Sequence, residues 1–419
     1  MPGSASNRTL KPRARRSGPG ADALAGVRDY LARPTHLVVG LMTGTSADAV
    51  DAALVRFEGL GLDATHTLVR YRQSPLEAAL RREILEVASA ATLPPERLMR
   101  LDAALGACYA AAVLELLADV GLEPATIDAI GCHGQTVRHV ARDGSSRALT
   151  LQIGSAAVLA EDTGIPVVSD FRTRDTASGG EGAPLVPLAD WWLCRSREES
   201  RALLNLGGMA NLTFLPKGGA LADLLAFDTG PGNAVIDALA ALASDGEAQH
   251  DAGGARALRG RASSDLVREL LADPFFRQPP PRSTGRERFG EAWARDLWAR
   301  GSALGLEPDD RLATAVELVA ASVADAVERF LAPRGGVDAV YASGGGVHNA
   351  ALMAALARRL SPARLASSEA LGVPPDGKEA LAFAFLAHQT LCGRPGNVPA
   401  ATGAEHAVVL GHITPGRAR

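Results

Sequence analysis

Leu37-Val-Val-Gly-Leu-Met-Thr-Gly-Thr-Ser-Ala-Asp-Ala-Val-Asp-Ala-Ala-Leu-Val55 is the stretch whose reading decides the fold. An apolar run ends in Thr43-Gly44-Thr45-Ser46, an acidic pair (Asp48 and Asp51) follows, and a second run covers Ala52 to Val55. That order predicts strand, tight turn, strand. The turn carries small side chains, two hydroxyls and backbone N–H groups that a ligand can approach closely. Such a turn can hold a phosphate, and a nearby carboxylate can hold the magnesium that travels with it. An ordinary β-hairpin with a Gly-Thr-Ser turn fits the same letters. Two similar glycine turns further along favour the phosphate reading.

The second is Arg201-Ala-Leu-Leu-Asn-Leu-Gly-Gly-Met-Ala-Asn-Leu-Thr-Phe214, an apolar strand, Gly207-Gly208, and a second strand carrying Asn211 and Thr213. Soon after, Leu224-Leu-Ala-Phe-Asp-Thr-Gly-Pro-Gly-Asn233 predicts a strand ending on Asp228 and a helix from Ala234 to Leu242. A carboxylate beside a helix N-terminus suits chemistry on an anion, a reading favoured over a plain turn cap because Asp228 lies so close to the second glycine turn. The third turn, Gly344-Gly345-Gly346, follows the buried-type run Val337–Ser343 and precedes a helix over Ala350–Leu360. It offers a seat for the sugar and α-phosphate of a nucleotide.

Between these turns the chain alternates strands and helices, with helices expected over 75–91 and 95–120. His133, Gln135 and Thr136 stand at a strand's C-terminal end, where open α/β sheets place ligands. Cys132 beside His133 lacks further ligands at metal spacing. Asp170-Phe-Arg172-Thr-Arg174-Asp175, ahead of Gly179, Gly180 and Gly182, makes a polar mouth for an anionic or hydroxyl-rich ligand. A surface ion-pair loop is the alternative. Gly377-Lys378-Glu379 opens a last helix through Thr390.

The 419 residues suggest two lobes rather than one core. With 47% hydrophobic and 21% charged residues, the composition is that of a soluble globular chain, and no run reads as long enough to span a membrane. A net charge of −4 gives no reason to expect nucleic acid or an anionic membrane as partner. Cys108, Cys132, Cys194 and Cys392 form no C-x-x-C, which points to a reducing cytoplasm. Residues 1–33, rich in Ser, Gly, Pro, Ala and Arg with no apolar h-region, read as a disordered basic tail. There is no G-x-x-x-x-G-K-[ST] and no protein-kinase motif set.

Two phosphate-gripping hairpins, an adenosine-gripping turn and an aspartate between the last two suggest an α/β, two-lobed actin-like ATPase (ribonuclease H-like) fold closing over ATP. Residues 34–168 with about 398–419 are expected to form lobe I, and 169–397 lobe II.

At this point the chain resembles a particular family. Gly40-Leu-Met-Thr-Gly-Thr-Ser-Ala-Asp-Ala-Val-Asp51 is similar to the opening signature of the anhydro-N-acetylmuramic acid kinases, sugar kinases of the actin-like superfamily. The likeness continues through Gly131–Thr136, Leu151–Gly154, Asp170–Arg172 with Asp175, and Gly182–Pro187. It also takes in Leu204–Gly208, Phe227–Asn233, Ser283–Glu287 and Ser343–Asn349. Ala47 and Ala49 depart from it, standing where the family more often has a bulkier residue and Gly.

The resemblance implies an ATP-dependent kinase of peptidoglycan recycling. It would open the bridge of 1,6-anhydro-N-acetylmuramic acid with water and phosphorylate O6, giving N-acetylmuramic acid 6-phosphate. Asp228 matches the general base. Gly44, Thr45, Ser46, Ala47, Asp48, Ala49, Val50 and Asp51 would form the first phosphate turn, with Asp48 on Mg2+. Gly207 and Gly208 would form the second, and Gly344, Gly345 and Gly346 would seat the adenosine. His133, Arg172, Arg174, Asp175 and Glu379 are the sugar-side candidates, an arginine suiting the lactyl carboxylate. The resemblance also implies a homodimer. The rival readings are a kinase for levoglucosan, which offers the arginines no charge, and a non-catalytic ATP-binding sensor on the same fold.

Overall fold

A computed structural model describes residues 25–417 apart from Thr45 and Ser145. The described strands are β1 (Thr35–Met42), β2 (Ala49–Glu58), β3 (Thr65–Pro75), β4 (Ala129–Cys132), β5 (Gln135–Val140), β6 (Leu149–Ile153), β7 (Val167–Ser169), β8 (Arg201–Leu206), β9 (Met209–Leu215), β10 (Leu225–Pro231), β11 (Ala339–Ser343), β12 (Arg364–Ser367) and β13 (His412–Thr414). They form a six-stranded sheet in the order β13-β7-β4-β1-β2-β3, a five-stranded sheet in the order β10-β9-β8-β11-β12, and the hairpin β5-β6.

The two large sheets repeat one plan. In each, three strands form an antiparallel meander, and the next two lie parallel beside the meander's first strand. This is the ribonuclease H-like order, present twice, as the actin-like fold requires. The chain divides into two units: residues 1–177, 380–396 and 408–419, and residues 178–379 and 397–407.

In unit 1 the runs that the sequence marks as apolar are the central strands: Val38, Val39 and Leu41 of β1 and Ala52 to Val55 of β2 are buried. Helix Pro95–Ala118 packs Leu105, Tyr109, Val113 and Leu116 into the same core. By length and composition this helix could cross a membrane, contrary to the expectation that no run would, but half of its most apolar window is buried inside the protein. Helix Lys378–Leu391 lies against β1 and β4 at their glycines. A Cβ on Gly40 would fall 1.8 Å from the Ala380 carbonyl oxygen, and one on Gly131 would fall 2.2 Å from that of Phe383. That backbone-to-backbone approach is why residues 380–396 belong to unit 1 rather than to the second lobe. Residues 169–177 also stay with unit 1. Residues 397–407 join unit 2 instead, where Thr402 O accepts from Glu181 N–H (2.8 Å) and Ser178 O from Glu405 N–H (2.8 Å).

The tail expectation fails at its C-terminal end. Residues 1–24 lie outside the described residues, whereas Tyr30 is fully buried, stacked on His36 at 3.9 Å and hydrogen-bonded to His388 Nδ1 at 2.7 Å. Arg33 pairs with Asp128. An aromatic anchor and an ion pair order this segment despite its composition.

In unit 2 the core lies on one face of the five-stranded sheet, where Leu204, Leu206, Leu212, Phe214, Val340 and Ala342 meet helices Asn233–Ala243 and Pro308–Ala326.

Candidate active site

In unit 1 the turn between β1 and β2 begins at Thr43, whose hydroxyl donates to Tyr109 Oη at 3.1 Å. Ala47 N–H donates to Gly44 O at 3.0 Å, and Ala47 takes a left-handed φ of +50° at 0% exposure. A bulkier residue there would add to a conformation that already disfavours L side chains. Thr45 is outside the described residues. Arg81, on helix Ala78–Ser89, donates through Nε to Ser46 O (3.2 Å) and forms an ion pair through a terminal nitrogen with Asp48 Oδ1 (2.7 Å).

Three of the residues expected to grip nucleotide are otherwise employed. Ala49 is the first residue of β2 and pairs with Pro75, so it is strand and not turn. Val50 is 0% exposed and packs in the core, because strand alternation turns it inward. Asp51 accepts from Tyr71 Oη (2.6 Å) and Gln73 Nε2 (3.0 Å), contacts within the sheet. Asp48 is the exposed carboxylate of the set and suits magnesium as one hard-oxygen donor beside phosphate and water. Among the described residues no three His, Cys, Asp or Glu side chains gather into a cage.

His133 and Arg172 form a single assembly. The His133 ring is 3% exposed, its Nδ1 lies 2.7 Å from Gly134 O and its Nε2 lies 2.9 Å from Arg172 Nε. A carbonyl only accepts and a guanidinium only donates, so Nδ1 carries the proton and the ring is neutral. Burial first, and the Arg172 charge second, hold its pKa well below the usual histidine value. Both ring nitrogens are occupied, so His133 offers no free nitrogen to a ligand. Asp170, at a left-handed φ of +54°, receives the Thr173 hydroxyl at 2.6 Å. Of the helix that follows, Thr173–Ala177, Arg174 is exposed while Asp175 is fully buried and presents no open face.

In unit 2 Asp228 is not the end of its strand. β10 continues through a bulge at Thr229, between the pairs Asp228↔Asn211 and Gly230↔Ala210, a device that re-aims a side chain. The segment 282–284 fixes this point. Thr284 N–H donates to Asp228 Oδ2 (2.8 Å), Arg282 Nε–H donates to Asp228 O (2.8 Å), and Asp228 N–H donates to Arg282 O (3.0 Å). The buried Arg282 guanidinium also binds the carbonyls of Phe275, Phe276 and Gln278, and burial draws its pKa down to about 10.

The helix after Asp228 does not aim its N-terminus at a ligand. Asn233 N–H donates to Gly207 O (2.8 Å), and Gly232 and Ala234 N–H donate to Gly208 O (3.0 and 3.1 Å). The hairpin carbonyls cap the helix. Because a trans peptide sets C=O and N–H on opposite sides, the Gly208 N–H leaves on the side away from that helix, polarised by it. The fold does not demand glycine here: an added Cβ would meet nothing closer than 3.6 Å at Gly207 and 3.8 Å at Gly208. Without side chains, both leave the hairpin backbone open to close approach.

At the third turn Gly344 needs its φ of +81°, and Gly345 and Gly346 open a 3-10 turn, Gly345–His348. The helix Ala350–Leu360 starts only after it, with Asn349 as N-cap accepting from Leu352 N–H. Glu379 is half-buried in the first turn of helix Lys378–Leu391. Its neighbour Lys378 is 5% exposed and pairs at 3.2 Å with Asp190, itself 2% exposed.

Sequence reasoning missed Arg81, the Lys378–Asp190 pair and the anchoring role of Arg282. Arg282 alone had a signal, directly before the Ser283–Glu287 motif.

The sequence model of the Anhydro-N-acetylmuramic acid kinase family matches residues 36–416. A relative of that name in Caldanaerobacter subterraneus subsp. tengcongensis is 44% identical over 383 residues, 90% of this chain and 97% of its own. Its namesake in Xanthomonas campestris pv. campestris is 45% identical over 393 residues, 92% of this chain and all of its own. That of Salinibacter ruber is 44% identical over 386 residues, 91% and 97% of the two chains.

Proposed function

This chain belongs to the anhydro-N-acetylmuramic acid kinase family, and we propose that it couples hydrolytic opening of 1,6-anhydro-N-acetylmuramic acid to ATP-dependent phosphorylation of O6. The observation that carries the reading is Asp228, held by the Thr284 N–H on a bulged strand, in a chain that the family model matches over residues 36–416. Asp228 takes a proton from water as the water oxygen bonds to the anomeric carbon. The bond from that carbon to O6 breaks, and O6 bonds to the γ-phosphorus of ATP as ADP leaves. The products are N-acetylmuramic acid 6-phosphate and ADP, and the proton passes from Asp228 to solvent.

Gly44, Ser46 and Asp48 serve the phosphates, as do Gly207 and Gly208. Gly344 to Gly346 seat the nucleoside. Asp48 would hold the magnesium, whose charge offsets that of the β- and γ-phosphates. Arg172, backed by neutral His133, pairs with the lactyl carboxylate, with Arg174 and Glu379 as further sugar contacts. The enzyme works in the cytoplasm, as a homodimer.

The test is phosphate transfer from ATP to the anhydromuramic sugar and to levoglucosan, with Asp228→Asn alongside. The expected result is turnover of the muramic sugar only, reduced at least ~100-fold in the variant. The amide oxygen can still accept from Thr284 N–H, so the melting temperature should hold. Turnover of levoglucosan alone would move the substrate assignment. ATP binding with no turnover of either sugar would leave a sensor.

A further inference from the structure

Asp228 does not stand alone on its sheet. It pairs with Asn211 on β9, Asn211 pairs with Asn205 on β8, and Asn205 pairs with Ser343 on β11. Directly paired residues point to the same face, so four polar side chains form one row across four strands. The row lies on the face opposite the unit 2 core, since Leu204, Leu206, Leu212 and Ala342 flank it in sequence and belong to that core. Three strand spacings put its length at about 14 Å. It runs from the base to the residue before Gly344.

Each end holds a buried hydroxyl without a hydrogen-bond partner. Ser343, 2% exposed, has an unpartnered Oγ, and so does the Thr284 Oγ1 whose own N–H holds Asp228. Buried polar atoms are rarely left so. Asn205 and Asn211 are half-buried, neither sealed in the core nor free on the surface. The Asn205 amide lies between two of the glycine turns. Its Oδ1 is 2.8 Å from where a Gly344 Cβ would be, and its Nδ2 is 3.6 Å from where a Gly207 Cβ would be. Its donor end therefore faces the Gly207-Gly208 hairpin.

We infer that this row extends the site, with Asn211 as a positioning residue for the Asp228 carboxylate and Asn205 as a donor to the nucleotide phosphates. The inference rests on the reading of Asp228 as the base and of Gly207-Gly208 as a phosphate turn. An amide opposite a carboxylate orients it and favours its charged form. An amide N–H beside the hairpin adds a neutral donor where the phosphate charge collects.

The experiment uses the full-length chain and three variants, Asn211→Asp, Asn211→Ala and Asn205→Ala, each first checked for an unchanged melting transition. In Asn211→Asp a second carboxylate faces Asp228 across the strand pair, so the acid limb of the pH profile of kcat should move up by about one pH unit. In Asn211→Ala kcat should fall about tenfold with KM for ATP unchanged. In Asn205→Ala, ATP binding measured calorimetrically without sugar should weaken about tenfold. A folded Asn211→Asp whose acid limb stays in place, or a folded Asn205→Ala that binds ATP like the parent, would overturn the inference. Absence of turnover in the parent would overturn the functional reading instead, and the ATP-binding arm would still decide the role of Asn205.

Discussion

Arg81 makes two contacts with one turn, to the Ser46 carbonyl and to the Asp48 carboxylate, from a helix that follows later in the chain. Both charged groups are well exposed, 44% and 61%, so the pair contributes little to stability, on the order of 0.2–1 kcal/mol. Its effect belongs to the shape of the turn. Arg81→Met should leave the melting temperature within about a degree and raise KM for ATP about two- to fivefold, which is what such an energy supplies; steady-state kinetics at saturating sugar reads it. Nothing in Leu80-Arg-Arg-Glu83 marks this residue, because a basic residue on an amphipathic helix reads as a solvated face until the partner turn is in view. Asp228 and His133 stand out in the sequence because each lies beside a glycine motif. Val50 was misread for a related reason: it lies inside the motif, while strand alternation gives it to the core.

Helix Lys378–Leu391 and helix Val186–Cys194 are joined by a Lys378–Asp190 contact that is almost closed to water. The approach is an ion pair of 3.2 Å without hydrogen-bond alignment at Asp190 Oδ1. Lys378→Met would strand a buried carboxylate and should cost about 3–5 kcal/mol in denaturant unfolding, whereas combining Lys378→Met with Asp190→Leu should recover most of that loss. A small loss in the single variant would mean that Asp190 has other support. Regular elements were largely readable, down to the bounds of helix Ala350–Leu360, because apolar spacing and an Asn cap agree there. Features set by a partner strand were not. The bulge at Thr229 depends on Ala210, to whose carbonyl the Thr229 hydroxyl donates at 3.1 Å, and the helix cap at Asn233 depends on the hairpin carbonyls.

Across the molecule, neutral buried histidines collect in unit 1. His36, His133 and His388 all have pKa values lowered chiefly by burial, His388 to about 3. Unfolding returns each to about 6.5, so below that pH the unfolded chain binds protons that the folded one refuses, and stability falls as pH falls. For His388 the slope should approach ~1.4 kcal/mol per pH unit between pH 6 and 4. His36→Phe keeps the stack on Tyr30 and should flatten the fall in stability below pH 6.5, read from unfolding curves at stepped pH. A duplicated sheet order was legible from three glycine turns, whereas the ownership of the last forty residues was not, since it depends on the Gly40 and Gly131 contacts. That ownership bears on biosynthesis. Most of unit 1 is made first, yet its helix and its edge strand β13 come from residues 380–396 and 408–419. At ~5–20 residues per second, the nascent six-stranded sheet waits on the order of tens of seconds, with the backbone at Gly40 and Gly131 uncovered, and a premature stop codon near the 3′ end of the message would cripple the half of the protein translated first.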